Sequence, residues 1–579
     1  EVQVTVVATE PENQPLSYTW EQIDPESPLG WFENPNAPTT IWRAPPIPSG
    51  PMDFLLQATV CDPTNLCDSA QVVVTVENIF DGPAYGATTL PGTVSCQNGG
   101  GFGPSTLLGE ETEAVIPLLV PDEGRYLMEK ENPSGPFVEP QEKITPKGFA
   151  PQVSPALERD FHGIAYTGLR PPDPHIASGP NHLIALVNSQ IGIFDKQGNL
   201  LLQKSAYNWF SPVNNLSFIF DPKVNYDGYN QRWLILFHAT NFPAGLSRWL
   251  FAASQTSDPM GCWWLWILDN TVNGSTPSSP LNWADYTDMG FDGNYIYLSS
   301  NQFTFPPYNF SYVKVRVLRA SEVYSGAQLN WVDYWNLIQA NGDTAFTVRP
   351  AYSVGSALPP MEYLANAHWP GDSMITLWGI KEPFSATPGF LWKGISVSPY
   401  SIPPDAKQPG TSCRVDTIDS RIMNVIWKDG SLWTVQNTAV NWGSGTVSGL
   451  KYHHILTDSL ALVDDFYFGE DGIDYYDGAV MEDRFGIMGT VFARSSPSIY
   501  PGAYYTVKQP GEEIDPGIGI LKEGANIVTD GCGGRGARWG DYAGAWIDPA
   551  DSETFWIFHE YVPASPGNTW DTWVGAMNP

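Results

Sequence analysis

The chain has 579 residues, of which 29 are Lys or Arg and 62 are Asp or Glu, so its formal net charge is −33. This charge has the wrong sign for a protein that holds a phosphate backbone, which excludes nucleic acid as an expected partner. The 54 Gly, the 52 Pro and the 13% aromatic residues, with no long helix-forming stretch, predict an all-β protein. No apolar run reaches the roughly 18 residues that a membrane span needs.

Residues 1–80 predict a small sandwich. The run "VQVTVVATEPENQPLSYTWEQI" predicts strand, turn and strand, and "MDFLLQATVCDPTNLCDSAQVVVTVENI" predicts a hairpin. The stretch from Pro11 to Trp20 and the "VVVTV" hairpin resemble immunoglobulin-like domains of the polycystic-kidney-disease type, which are common in secreted bacterial proteins. In that family an earlier strand precedes the one that begins here at Glu1. The resemblance therefore implies either missing upstream residues in a longer protein or an open sheet edge.

Two of the six cysteines, Cys61 and Cys67, flank the turn "CDPTNLC". Cysteines placed this way can close a hairpin disulfide worth about 2–3 kcal/mol, whereas a zinc site would need four nearby Cys or His ligands. We therefore expect this disulfide, and with it an oxidising, extracellular setting. The pairing of the dispersed Cys96, Cys262, Cys413 and Cys532 stays open.

Residues 81–164 are rich in Gly, Pro and Glu without a sustained period, which predicts an extended linker. One apolar run interrupts it and would be costly to leave in water. It consists of Ala114, Val115, Ile116, Leu118, Leu119 and Val120, broken by Pro117. This run either packs on the large domain of its own chain or adds a strand to the open sheet edge of a neighbouring chain.

From residue 165 to residue 579 one pattern recurs, an apolar strand, a turn and an aromatic-rich strand. Examples are "PKVNYDGYNQRWLILFHA", "DMGFDGNYIYLSSNQF" and "RIMNVIWKDGSLWTVQN", and the last is "GAWIDPADSETFWIFHEYV". About seven such units at a spacing of roughly 40–70 residues predict a β-propeller of about seven blades.

Four ordered stretches of this region carry a resemblance to a known family. They are "PPDPHIASGPNHLIALVNSQIGIFDKQGNLL", "QPGTSCRVDTIDSRIMNVIW", "SSPSIYPGAYYT" and "RWGDYAGAWIDPADSETFWIFHEY". Together they resemble uncharacterised secreted bacterial propeller proteins that often carry immunoglobulin-like modules. The resemblance implies a fold and an extracellular setting, and it transfers no activity and no catalytic residue.

The motif "RWGDY" offers Arg538 and Asp541, which either reach the central channel and hold an acidic sugar or pair with each other to lock the last blade. The stretch "WKDGSLW" approaches the turn motif of sialidases but lacks its leading Ser or Thr. The sequence contains no Gly-x-Ser-x-Gly elbow, no His-Glu-x-x-His run and no phosphate loop. It therefore predicts no catalytic residue.

Acidic residues cluster in "GEDGIDYYDG", at Glu470, Asp471, Asp474 and Asp477. Hard oxygen ligands of this kind suit calcium, although their spacing matches no calcium-loop template, and a solvated acidic turn is the alternative. No other cofactor is expected. Candidate glycosylation sequons begin at Asn215, Asn273 and Asn309.

Two functional hypotheses follow. The first is a non-enzymatic extracellular protein, a cell-surface or filament-forming subunit that self-associates through its N-terminal domain and linker. The alternative is a secreted propeller that binds carbohydrate or hydrolyses glycosides. The first hypothesis depends on the incomplete sandwich, on the apolar run in the linker and on the absence of a catalytic signature.

Overall fold

The computed structural model describes residues 2–10, 12, 14–25, 29–45, 52–76, 80–97, 155–214, 216, 218–306, 308–512, 517–529, 532, 537–565 and 569–579. Regular structure in these ranges is almost entirely β, which confirms the predicted all-β class. Among the described residues, helix is confined to α1 (Ala206–Phe210), α2 (Ala320–Ser325) and a 3-10 turn over Phe242–Ala244. Among the helices described, none has the length and apolar character that crossing a membrane requires.

Six strands in residues 2–76 form two three-stranded antiparallel sheets, in the orders β1-β4-β3 and β2-β5-β6. Trp20, Trp42 and Phe54 belong to the apolar core of this N-terminal unit. The predicted Cys61–Cys67 disulfide is present beside the turn between the last two strands, with an Sγ–Sγ distance of 1.98 Å. The strands are β1 (Val2–Thr5), β2 (Ser17–Asp24), β3 (Trp31–Phe32), β4 (Thr39–Arg43), β5 (Met52–Cys61) and β6 (Cys67–Val76).

The segment predicted as a linker contributes three strands to the propeller, which corrects the prediction for those residues. They are β7 (Asp81–Pro91), β8 (Thr93–Cys96) and β9 (Leu157–His162), and each pairs at the outer edge of a propeller sheet. A Cys96–Cys262 disulfide fixes the second of them. These segments pair with the propeller because an unpaired sheet edge is a template for any extended segment that reaches it. The apolar run at residues 114–120 lies outside the described residues.

The remaining strands, with β7, β8 and β9, build seven propeller blades of four or more strands, and two of these blades, 3 and 5, are joined into one ten-stranded sheet. Blade 1 consists of β10 (His175–Ser178), β11 (His182–Val187), β12 (Gln190–Asp195) and β13 (Leu200–Ser205). Blade 2 consists of β14 (Phe218–Asp227), β15 (Arg232–Asn241), β16 (Leu246–Ser254) and β17 (Cys262–Asp269), with β8 added outside. A short ribbon of β18 (Val272–Asn273) and β19 (Thr276–Pro277) follows.

Blade 3 consists of β20 (Asn282–Phe291), β21 (Tyr295–Thr304), β22 (Phe310–Arg319) and β23 (Gln328–Trp335), with β7 added outside. Blade 4 begins with β24 (Arg349–Pro350). The short β25 (Tyr352–Ser353) then bridges the inner strands of blades 3 and 5 by parallel pairing. Blade 4 continues with β26 (Glu362–Ala367), β27 (Gly371–Lys381) and β28 (Gly389–Ser401).

Blade 5 consists of β29 (Ile422–Lys428), β30 (Ser431–Asn441), β31 (Thr446–Leu456) and β32 (Ala461–Phe468). Blade 6 consists of β33 (Asp474–Glu482), β34 (Met488–Ser496), β35 (Ile499–Lys508) and β36 (Gly519–Lys522). Blade 7 consists of β37 (Gly544–Ile547), β38 (Phe555–Tyr561) and β39 (Asp571–Met577), and β9 supplies its outer strand.

The blades close into a ring. Their inner strands β10, β14, β20, β24, β29, β33 and β37 lie side by side in that order, and the last also contacts the first. The ring closes in blade 7, where the late strands β37, β38 and β39 form one sheet with the early strand β9, which pairs with β39. The predicted closed propeller of about seven blades is therefore confirmed.

Turn chemistry explains how the predicted hairpins form. In the "KDGS" turn of blade 5, Asp429 and Gly430 have φ values of 47° and 95°, and Lys428 pairs with Ser431 across the turn. Positive φ at both central residues defines the tight turn whose twist matches that of paired strands, and Asp-Gly is among the sequences that adopt it most readily. The dipeptide therefore fixes the register of the hairpin.

Candidate functional site at the propeller axis

In six of the seven blades a residue with left-handed backbone conformation lies within the inner strand or up to four residues before it. These residues are Asp173, Asp221, Tyr286, Thr347, Ile418 and Asp477, and their φ values lie between 51° and 55°. In blades 2, 3 and 6 the residue lies at a register shift in the strand pairing. Such irregularities bend the strand and redirect side chains, and they are common beside functional sites.

In blades 1 to 4, the residue two positions further along the chain has a polar side chain, and these four side chains meet at the same place. His175 Nε2 lies 3.1 Å from the Tyr352 hydroxyl, which donates to Asp288 Oδ1 at 3.2 Å. Arg349 Nη1 donates to Asp288 Oδ2 at 2.6 Å, and Lys223 Nζ lies 3.8 Å from Asp288 Oδ1. We call His175, Lys223, Asp288 and Arg349 the axial core.

The axial core is completely enclosed. Lys223 Nζ lies 3.2 Å from the ring centroid of Tyr542, and the Arg349 guanidinium lies 4.8 Å from that of Tyr286. Burial lowers the pKa of Lys223 to about 7, against the raising effect of Asp288. The aromatic faces replace part of the hydration that these two buried cations lose. Since all four side chains are at most 3% exposed, the axial core fills the channel and leaves it no opening there.

Three carboxylates meet next to this core, and we call them the axial carboxylate cluster. Asp173, Asp221 and Asp541 come from blades 1, 2 and 7, are each at most 5% exposed, and have oxygens within 4.8 Å of one another. Asp173 Oδ1 accepts the backbone N–H of Asp541 at 2.9 Å, and Asp221 Oδ2 accepts that of Tyr286 at 2.8 Å. These bonds link neighbouring blades and fix the carboxylates in place.

Glu560 on β38 lies against this cluster. Its side chain is fully buried, and neither carboxyl oxygen has a hydrogen-bond partner. A Cβ atom at Gly540 would lie 2.1 Å from Glu560 Oε1 and 3.8 Å from Asp173 Oδ1, so only glycine leaves room for the carboxyl. Burial, followed by the charges of Asp477, Asp173 and Asp541, raises the pKa of Glu560 well above its usual range.

The motif "RWGDY" is the part of the chain that completes this site. Arg538 forms a two-pronged ion pair with Asp541, at 2.7 Å from Nη1 and 2.8 Å from Nη2. The Arg538 side chain is 12% exposed, and its Nη1 lies 3.9 Å from Asp416 Oδ2. The structure therefore places the pair at the axis and also joins its two members to each other.

The segments that lead into blades 5 and 7 flank Arg538 and are tied together. Val415 pairs with Ala406 in its own segment and with Ala537 in the other. A Cys413–Cys532 disulfide joins the same two segments. The accessible side of the axial site therefore lies between two cross-linked segments.

The acidic residues proposed from sequence as calcium ligands have separate partners. Asp471 Oδ1 accepts the N–H of Ser444 at 2.9 Å, and Asp474 Oδ2 accepts that of Lys407 at 2.8 Å. Glu470 lies 3.4 Å from Arg494 Nη1. The fourth, Asp477, lies in the inner strand of blade 6 and acts electrostatically on Glu560. Within the described ranges, the axial carboxylate cluster is the one place where three potential metal ligands converge.

The candidate glycosylation sites differ in exposure. Asn309 is exposed, whereas the amide of Asn273 donates to the Tyr312 hydroxyl at 2.9 Å and is partly buried. Asn215 lies outside the described residues. Only Asn309 therefore offers an accessible side chain among the two sequons described.

Sequence reasoning missed the axial core and most of the cluster, yet a signal was present. Blades 1 and 2 both begin with Asp-Pro followed by a basic residue, in "DPH" at residues 173–175 and "DPK" at residues 221–223. The recurring hairpin pattern starts after each of these aspartates, so it does not align them.

No protein-family model matches the chain, and no curated protein matches it. Solved structures with the same general fold include the α-L-arabinanase of Penicillium chrysogenum complexed with arabinobiose (11% identity, 51% of this chain, 93% of that chain, TM-score 0.28). Another is the α-L-arabinofuranosidase of Fusarium graminearum, also with arabinobiose (9%, 72%, 98%, TM-score 0.33). A third is the Dos1 propeller (11%, 69%, 75%, TM-score 0.33). Likeness this distant carries no argument about activity.

The hypothesis of a non-enzymatic filament-forming subunit is corrected. It assumed that no candidate site exists and that the linker is free to pair with another chain. The structure instead shows buried, convergent charged groups at the axis, and it pairs β7 and β8 with blades of the same chain.

Proposed function

We propose that this protein is an extracellular, carbohydrate-active propeller that binds a glycan at the axial site beside Arg538. The observation that carries the proposal is the Arg538–Asp541 ion pair, in which the Arg538 side chain is 12% exposed beside the buried axial core. The guanidinium supplies N–H donors in one plane and the paired carboxylate supplies acceptor oxygens, a combination that suits neighbouring sugar hydroxyls. The extracellular setting is supported by three disulfides that use all six cysteines.

A glycan array followed by calorimetry tests this proposal. We expect the wild-type protein to bind at least one glycan class and Arg538→Ala to weaken that binding at least tenfold. Arg538→Lys keeps the charge but loses the planar fork, so it should recover only part of the affinity. The matched control is Arg484→Ala, which breaks the exposed Arg484–Glu553 pair and should bind as the wild type does.

Absence of binding to every glycan on the array would contradict the proposal. Equal loss of binding in Arg484→Ala would also contradict it, since that residue lies on the exposed surface. Circular dichroism of each variant separates a lost contact from a lost fold.

Glycoside hydrolysis is a second candidate, supported by the convergence of carboxyl groups at the axis. Hydrolysis needs a pair of carboxyl groups, one of them protonated to act as the general acid. Burial raises the pKa of Glu560 well above its usual range, and Glu560 lies beside Asp173 and Asp541. A reducing-sugar assay on a polysaccharide panel tests this candidate. Activity that Asp541→Asn lowers at least a thousandfold would support it, and glycan binding without any release of sugar would exclude it.

A further inference from the structure

We propose that the axial carboxylate cluster, together with Glu560, binds one calcium ion that ties the first, second and last blades of the ring. Asp173 precedes the inner strand of blade 1, Asp221 lies in that of blade 2, and Asp541 and Glu560 belong to blade 7. Blades 1 and 7 meet where the ring closes, and blade 2 is the next blade after blade 1. The inference does not depend on glycan binding.

The first argument is distance. Calcium binds six to eight oxygens at about 2.3–2.6 Å, so two oxygens on opposite sides of one ion are about 5 Å apart. The oxygens of Asp173, Asp221 and Asp541 lie within 4.8 Å of one another, so one ion can reach all three. Hard carboxylate oxygens without nitrogen or sulfur ligands favour calcium or magnesium over transition metals.

The second argument is Glu560, which is independent of the three aspartates. Both of its oxygens are buried without a hydrogen-bond partner, and Gly540 leaves the space that brings one of them toward Asp173. A buried carboxyl needs a partner, because leaving it without one costs free energy whether or not it carries a proton. A cation at the cluster would supply that partner.

Elemental analysis of the purified protein and calcium titration after treatment with EGTA test the proposal. We expect about one calcium per chain, and at least tenfold weaker calcium binding in Glu560→Gln. The matched control is Glu362→Gln. Glu362 is equally buried and lacks partners for both oxygens, but it lies on β26 outside the cluster, so its variant should bind as the wild type does.

Thermal unfolding gives a second readout that does not depend on activity. In EGTA, Glu560→Gln should unfold at a higher temperature than the wild type, because it removes one carboxyl from a crowded acidic site. Calcium should raise the midpoint of the wild type and leave that of Glu560→Gln nearly unchanged. Absence of calcium binding by the wild type, binding of magnesium alone, or an equal loss in Glu362→Gln would each overturn the proposal.

The outcome also separates this inference from the proposed function. Calcium binding without glycan binding would leave the ion as a clamp on the ring alone. Glycan binding without calcium would leave Arg538 as a recognition residue and overturn the ion site. A bound calcium would also count against the hydrolysis candidate, because the ion and acid–base catalysis would compete for the same carboxylates.

Discussion

Replacing Asp288 with alanine should destabilise the propeller severely, because this carboxylate neutralises the axial core. It accepts a hydrogen bond from Arg349 at 2.6 Å and lies 3.8 Å from Lys223, and all three side chains are at most 2% exposed. Its removal leaves two buried cations without their shared counter-ion. Removing one partner of a buried ion pair costs about 3–5 kcal/mol, so we expect a loss of about 4 kcal/mol.

Urea unfolding followed by tryptophan fluorescence measures this loss. The double variant Asp288→Leu with Arg349→Met removes both members of the pair, so it should be more stable than Asp288→Ala alone. Glu553→Ala is the control, because it breaks the exposed pair with Arg484 and should cost less than about 1 kcal/mol. If Asp288→Ala lowered the free energy of unfolding no more than this control does, the buried cations would not depend on the Asp288 carboxylate.

Three further predictions concern the cross-links, the closing strand and acid stability. A non-reduced digest should yield three linked peptides, joining Cys61 to Cys67, Cys96 to Cys262 and Cys413 to Cys532, and any other pairing would contradict the fold. Phe161→Ala on β9 removes a half-buried ring that contacts Phe194 and Trp556, and it should cost about 2 kcal/mol in urea unfolding; an unchanged midpoint would mean that β9 does not hold blade 7. Burial lowers the pKa of His238 to about 3 in the folded protein. As the pH falls, His238 therefore takes up a proton in the unfolded chain before it does so in the folded one. The stability that neutral His238 contributes is thus present above about pH 6.5 and is lost as the pH falls toward 3. His238→Phe should therefore lose less stability than the wild type between pH 7 and pH 4, and identical losses would show that other groups cause the acid sensitivity.

The propeller could be predicted because its signals are local. Alternating apolar residues define each hairpin, and turns such as Asp429-Gly430 fix its register without help from the rest of the chain. The pairing of β7 and β8 could not be predicted in this way. Those strands are recruited by sheet edges that are distant in sequence, and their own composition resembles that of a linker.

The axial site could not be predicted for a related reason. Asp173 and Asp541 are 368 residues apart and meet only because the ring closes. The left-handed residues in or before the inner strands turn the side chains that follow them toward the axis. The hydrophobic periodicity of the sequence gives no sign of this change of direction. The motif around Arg538 did attract attention in the sequence, but its partners Asp221 and Glu560 did not.

The position of β9 has a consequence for how the chain is made. Its partner in blade 7, β39, lies about 400 residues further along the chain, as the hydrogen bond from Trp573 to Asp160 across 413 residues shows. A ribosome that adds 5–20 residues per second needs about 20–80 seconds to cover that distance. During this interval β9 has no native partner, and the inner strand of blade 1 lacks its neighbour from blade 7. Six blades can assemble as an open arc in that time, so a cell that makes this protein must keep two unpaired edges from aggregating until the last blade is complete.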